Sequence, residues 1–194
     1  MSEFQRDMNW TSGLFEQSVW PSISDFCGGG EIVTMEVNVD RLADYFDKYA
    51  GVDVWQVTPC GQMRGLASRV QRVSAEMRPY NSFTVRARRF NGAKTEHAKR
   101  KAAIESTRGA LYPYLTIQAY VTEDNNELMS AGVCKTADLF DYIDAGHSSE
   151  NETTNASFYT CFWSDMMKAG YKVRIFQNHQ LQLTISGKNY STTK

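Results

Sequence analysis

Apolar and polar positions alternate over 31–39, a stretch rich in β-branched residues, and this period of two predicts a strand. The period then changes. Val39, Leu42, Phe46 and Ala50 recur at helical spacing while Asp44, Asp47 and Lys48 fall on other faces, which predicts a helix over 40–50, capped by Asp40 and stopped at Gly51. Strand-like segments follow at 52–57, 63–73 and 82–90, separated by the turn Thr58-Pro59-Cys60-Gly61 and by a loop holding Pro79, and they read as an antiparallel meander. In the third of these, Phe83, Val85 and Ala87 alternate with Thr84, Arg86 and Arg88, so one face is expected to be apolar and the other to present arginines. Asn91-Gly92 breaks the strand. A helix is predicted over 94–106, with Ala98, Ala102 and Ile104 on a thin apolar side and Lys94, Arg100 and Lys101 on a basic one.

Leu115, Ile117, Ala119 and Val121 mark one face of a strand over 112–122, which Asp124-Asn125-Asn126 turns into a hairpin with 128–135. A short acidic helix over 137–145, a polar loop over 147–155 and strands at 157–163, 171–177 and 180–186 complete the pattern, with a helical turn at 165–169. Residues 1–30 show no period. Their glycine run, Gly28-Gly29-Gly30, reads as a flexible joint, since a phosphate loop requires a Lys-Ser/Thr ending that is missing. Trp10, Phe15, Trp20 and Phe26 are nevertheless many aromatics for a tail, which suits an arm that packs on the domain or on another subunit. The expectation is an α+β fold: an N-terminal arm, 1–30, and a single domain, 31–194, with a central mixed sheet flanked by helices. An αβββαβ core occupies 31–122 and extra strands decorate it over 123–194.

Composition narrows the function classes. With 194 residues, 42% of them hydrophobic, the chain closes one core, and a net charge of −1 excludes a histone-like polycation. The average hides an asymmetry. Between Gly61 and Gly109 twelve Lys/Arg stand against three acids, a local net of +9 that leaves −10 for the remainder. Clustered charge of this kind speaks of partners. The polar N-terminus lacks a signal-peptide pattern, no run approaches the roughly 20 apolar residues of a membrane span, and Cys27, Cys60, Cys134 and Cys161 form no CxxC pair. A cytoplasmic protein with reduced thiols and no membrane contact is expected.

Metal-ligand spacing of the zinc type is absent, because His97, His147 and His179 lie far apart, and no Gly-x-Ser-x-Gly elbow marks a nucleophile. The element order is more telling. With Asp53 in Gly51-Val52-Asp53-Val54 and the following strand Gly65-Leu66-Ala67-Ser68-Arg69-Val70-Gln71, the chain resembles the PD-(D/E)xK, or restriction-endonuclease-like, superfamily over about residues 31–122. That family holds Mg²⁺ with an Asp on one strand and a Glu-x-Lys on the next to cleave phosphodiesters. Here Ala67 and Arg69 stand where Glu and Lys are expected, and Arg69, always protonated, cannot act as a base. Some members move the carboxylate to the neighbouring helix, where this chain has Glu96. The resemblance therefore implies a Mg²⁺ site at Asp53 and Glu96, with Lys99, three residues on, orienting water or stabilising the developing phosphorane charge.

Independently of catalysis, Arg69, Arg86 and Arg88 from neighbouring strands, with Lys94, Arg100 and Lys101 from the helix, form a candidate surface for a DNA or RNA backbone. The leading expectation is a nucleic-acid-binding protein of restriction-endonuclease-like type, either a divergent Mg²⁺-dependent nuclease or a relative without catalysis, in which case no cofactor is needed. The alternative is a non-enzymatic interaction protein, for example a phage or mobile-element product that binds and blocks a host protein. A basic face also suits an acidic protein partner or a second copy of the chain.

Overall fold

A computed structural model describes residues 13–34, 50–74 and 78–178. The helix expected over 40–50, apart from Ala50, and the strand expected over 180–186 lie outside the described residues. Among the described residues nine strands are seen: β1 Glu31–Thr34, β2 Val54–Val57, β3 Met63–Val73, β4 Ser82–Arg89, β5 Leu115–Thr122, β6 Leu128–Lys135, β7 Ser149–Glu152, β8 Ala156–Phe162 and β9 Val173–Gln177. Among them run α1 Trp20–Ile23, α2 Glu96–Ile104, α3 Thr136–Asp144 and α4 Trp163–Lys168. Six strands form the main sheet in the order β1-β2-β3-β5-β6-β9, antiparallel throughout except for the parallel pair β3–β5. The rest form a second, antiparallel sheet, β4-β8-β7. The fold is α+β with a central mixed sheet, as its pattern predicts.

The expected meander stops after two strands. A parallel neighbour for β3 requires a long crossover, and β4 with α2 supplies it, so β4 crosses over the main sheet instead of extending it. Both faces of β4 then find partners. Phe83 and Val85 are buried with Leu139, Phe140, Cys161 and Trp163, while Ser82 meets the Tyr120 hydroxyl and Thr84 donates to Gln118 Oε1 at 3.2 Å. Thr84 and Arg86 on the arginine face of β4 are thereby turned toward the main sheet, while Arg88 stays exposed.

On the opposite face of the main sheet, Phe15, Val19, Trp20 and Ile23 pack on Val54, Leu66, Val70, Ile117 and Val133. Each such side chain contributes about 2 kcal/mol of burial, so this stretch belongs to the core. No single period marked it because a π-helical turn, Phe15–Val19, runs into α1 and then into a 3₁₀ turn, Ser24–Cys27, each with its own pitch. Nor is the glycine run a flexible joint. Gly28, Gly29 and Gly30 hold φ of 87°, 71° and 94°, and the fully buried Gln56 clamps the turn by donating from Nε2 to the carbonyls of Cys27 (2.9 Å) and Gly29 (2.7 Å).

With a layer on each side, β5 is buried along its whole length. Its second face, Thr116, Gln118 and Tyr120, is polar and satisfied: Thr116 pairs with Thr136 at 2.9 Å, Gln118 donates to Gln71 at 2.9 Å and Tyr120 donates to the Ser82 carbonyl at 3.0 Å. The loop expected over 147–155 contains β7, whose four residues are all exposed. Backbone pairing with β8 alone makes it a strand, so no alternation announces it. Among the described residues no helix is long and apolar enough to cross a membrane.

Candidate functional site

Where the crossover passes over β3 and β5, the two sheets do not close, and a cavity of about 130 Å³ remains. Asp53, Ala67, Ser68, Arg69, Thr84, Arg86, Glu96, Arg100 and Gln118 line it. Each is placed by local structure. Asp53 immediately precedes β2, its backbone N–H bonded to Leu66 O at 2.9 Å and its Oδ2 accepting the Ser68 N–H at 2.9 Å. Arg69 lies two residues beyond Ala67 on the same face of β3. Thr84 and Arg86 share the inward face of β4, and a register shift between Arg86 and Arg88 ends that alternation.

The N-terminus of α2 delivers the remaining charges. Thr95 caps the helix by accepting the Ala98 N–H at 3.3 Å and ties it to β4 by donating to the Ala87 carbonyl at 3.1 Å. Glu96 is the first helical residue, a position that favours a carboxylate. Arg100, one turn on, shares its face. Only 5% exposed, Arg100 donates from Nη2 to the Gly51 carbonyl at 2.9 Å and stands 3.9 Å from Asp53 Oδ2.

Burial works against an ionised Glu96, yet the guanidinium groups of Arg100, Arg69 and Arg86 outweigh it and hold the carboxyl below its ordinary range, with the Arg86 backbone amide adding to the effect. Burial also draws Arg69 below the ordinary arginine value, against the attraction of Glu96. Arg69 and Arg86 flank the ring of Phe158, their guanidinium carbons 5.3 and 5.4 Å from its centroid. This cation–π seat and the Glu96 charge allow two like charges to lie side by side.

Of the residues singled out from sequence, Asp53, Glu96, Arg69, Arg86 and Arg100 converge here, and the other four do not. Lys99 is half-buried but does not line the cavity, because Arg100 takes the position one turn from Glu96. Arg88, beyond the bulge, pairs with Glu150 at 3.1 Å and Glu152 at 3.5 Å. Lys101 pairs with Asp144 at 2.7 Å and Glu105 at 3.8 Å, and Lys94 is exposed before the helix. The expected continuous basic face is thus an inward triad of arginines plus separate surface cations, of which Arg88 and Lys101 are ion-paired. Phe158, Thr84 and Gln118 were not legible as site residues, since only the packing of β8 and β4 over β5 brings them in.

The Mg²⁺ implied by the resemblance does not fit this donor set. Magnesium takes near-ideal octahedral oxygen coordination, with carboxylates to offset its charge. The cavity offers Asp53, already bonded to Ser68 and beside Arg100, and Glu96, surrounded by three guanidinium groups; Ala67 supplies nothing where a further carboxylate is expected. Among the described residues no group of three His, Cys, Asp or Glu is placed to hold a metal ion. Comparisons with protein-family models, with curated proteins and with solved structures each return no match.

Proposed function

We propose that the protein binds nucleic acid, in the manner of a restriction-endonuclease-like domain that has lost its metal chemistry, with a backbone phosphate entering the arginine-lined cavity. One observation carries this reading: Arg69 and Arg86, from different sheets, converge on one cavity beside one aromatic ring. Guanidinium groups match phosphate oxygens in bidentate geometry, and a partly desolvated setting strengthens each charge-assisted bond. Arg89, exposed at the end of β4, and Lys94, exposed before α2, extend positive charge away from the cavity.

A gel-shift titration with single- and double-stranded DNA and RNA at two salt concentrations tests the reading. Binding is expected to weaken with salt, and Arg69→Gln with Arg86→Gln is expected to flatten the log–log salt dependence by about one, for the one phosphate that both arginines contact. Absence of binding to every nucleic acid at low salt overturns the proposal and favours a protein-binding role. Unchanged affinity and salt slope in a correctly folded double variant also overturns it.

A further inference from the structure

The charges in the cavity count to a definite sum. Three guanidinium groups and two carboxylates line it, a net of +1. A phosphodiester linkage carries one negative charge and neutralises that sum. Its volume, about 130 Å³, falls well below the roughly 300–1,000 Å³ of sites that enclose a drug-sized ligand, so the cavity suits a group of a few heavy atoms and not a whole nucleotide. The donors divide into two sets. Arg100 is committed to the scaffold through Gly51 and Asp53. Arg69 and Arg86 are half-buried, and among the described residues neither guanidinium donates a hydrogen bond. Seated against Phe158, the two guanidinium groups present N–H donors that match the oxygens of a phosphate.

We propose that Arg69 and Arg86 grip one singly charged phosphodiester directly, with no divalent cation, and that Glu96 is a countercharge to the arginines and not a metal ligand. This rests on the nucleic-acid reading above. Glu96 does for the arginines what a metal site would ask it to do for magnesium: it supplies the countercharge that lets cations crowd into a desolvated cavity. A divalent ion placed there meets a net positive charge; a phosphate oxygen meets the guanidinium forks of Arg69 and Arg86. Asp53 is already engaged by the Ser68 amide and by Arg100, which leaves Glu96 as the carboxylate that shares the cavity with Arg69 and Arg86.

The test is fluorescence anisotropy on the full chain, with a fluorescein-labelled oligodeoxynucleotide, single-stranded and as a duplex, in EDTA, in MgCl₂ and in MnCl₂. The proposal expects equal affinity in EDTA and in either metal at matched ionic strength, a loss of about tenfold or more in Arg69→Gln and Arg86→Gln, and tighter binding, by several-fold at low salt, in Glu96→Gln, where the cavity gains a net positive charge. A metal ligand gives the opposite sign: binding that appears only with Mg²⁺ or Mn²⁺ and disappears in Glu96→Gln overturns the inference while the nucleic-acid reading stands. Metal-dependent cleavage of the oligonucleotide overturns it as well. Absence of binding in every arm overturns both. A readout on the wild-type chain guards against a variant that fails to fold: inorganic phosphate in EDTA is expected to raise the melting temperature and MgCl₂ without phosphate is not, and the reverse result counts against the proposal.

Discussion

Arg100 Nη2 donates to the Gly51 carbonyl at 2.9 Å, and a Cβ on Gly51 would stand 3.0 Å from Arg100 Nε. Gly51 also holds φ +61°, the left-handed region that costs a substituted residue about 1–2 kcal/mol. One glycine ahead of β2 therefore seats the buried arginine that faces Asp53. Gly51→Ala is expected to destabilise the protein by about 2 kcal/mol or more, measured by urea unfolding, and to weaken nucleic-acid binding by displacing Arg100.

The two sides of the β4 bulge are expected to behave differently. On the proposed phosphate-binding role, Arg86→Gln is expected to lower affinity with little change in melting temperature. Arg88→Gln and Lys101→Gln remove exposed cations already paired with Glu150 and Asp144, so binding and its salt slope are expected to change little. Equal losses for Arg86 and Arg88 in a salt titration would instead locate the contact on the outer surface.

Gln56 is fully buried and ties the glycine turn to β2 through the carbonyls of Cys27 and Gly29. Gln56→Leu leaves both carbonyls without this donor and is expected to cost about 2 kcal/mol. Hydrogen exchange or limited proteolysis should then show loosening that begins at the glycine turn and the preceding helical stretch, since these elements share the clamp.

His97 lies parallel to Phe140, with centroids 5.4 Å apart, and edge-on to Tyr159 at 4.9 Å; its buried Nε2 has no hydrogen-bond partner. Burial and the charge of Lys101 lower its pKa below 6.5, against the pull of Asp144, Glu105 and Glu150. The unfolded chain thus takes up this proton before the folded one does. Stability contributed by His97 is present above the unfolded value, is lost as pH falls from about 6.5 toward the folded pKa, and changes no further below it. Denaturant unfolding at pH 7.5 and at about pH 5 is expected to show a difference that shrinks in His97→Phe.

The central strands β5 and β6 were readable because each buries a continuous apolar face. Leu115, Ile117, Ala119 and Val121 are an example, and their partners across the hairpin alternate in step. Asp53, Glu96, Arg69, Arg86 and Arg100 were also identifiable as charged residues within a predicted αβββαβ order. Their mutual arrangement was not. Alternation places Arg86 and Arg88 on one face of a strand, and only the bulge between them, opposite β8, separates an inward arginine from an outward one. Lys99 and Arg100 differ by a rotation of about 100° around α2, and Thr95 sets which of them faces the cavity.

The local pattern of this chain determined its elements, its α+β class and the identity of the charged groups available for chemistry, because periodicity and capping act over a few residues. The tertiary structure alone decided that β4 crosses over the sheet, that residues 13–27 complete the core and that three arginines share a cavity with two carboxylates. Those outcomes depend on contacts between distant segments, such as Gln56 with Cys27 and Arg100 with Gly51, and on the balance of desolvation against opposite charge. No stretch of sequence contains that balance.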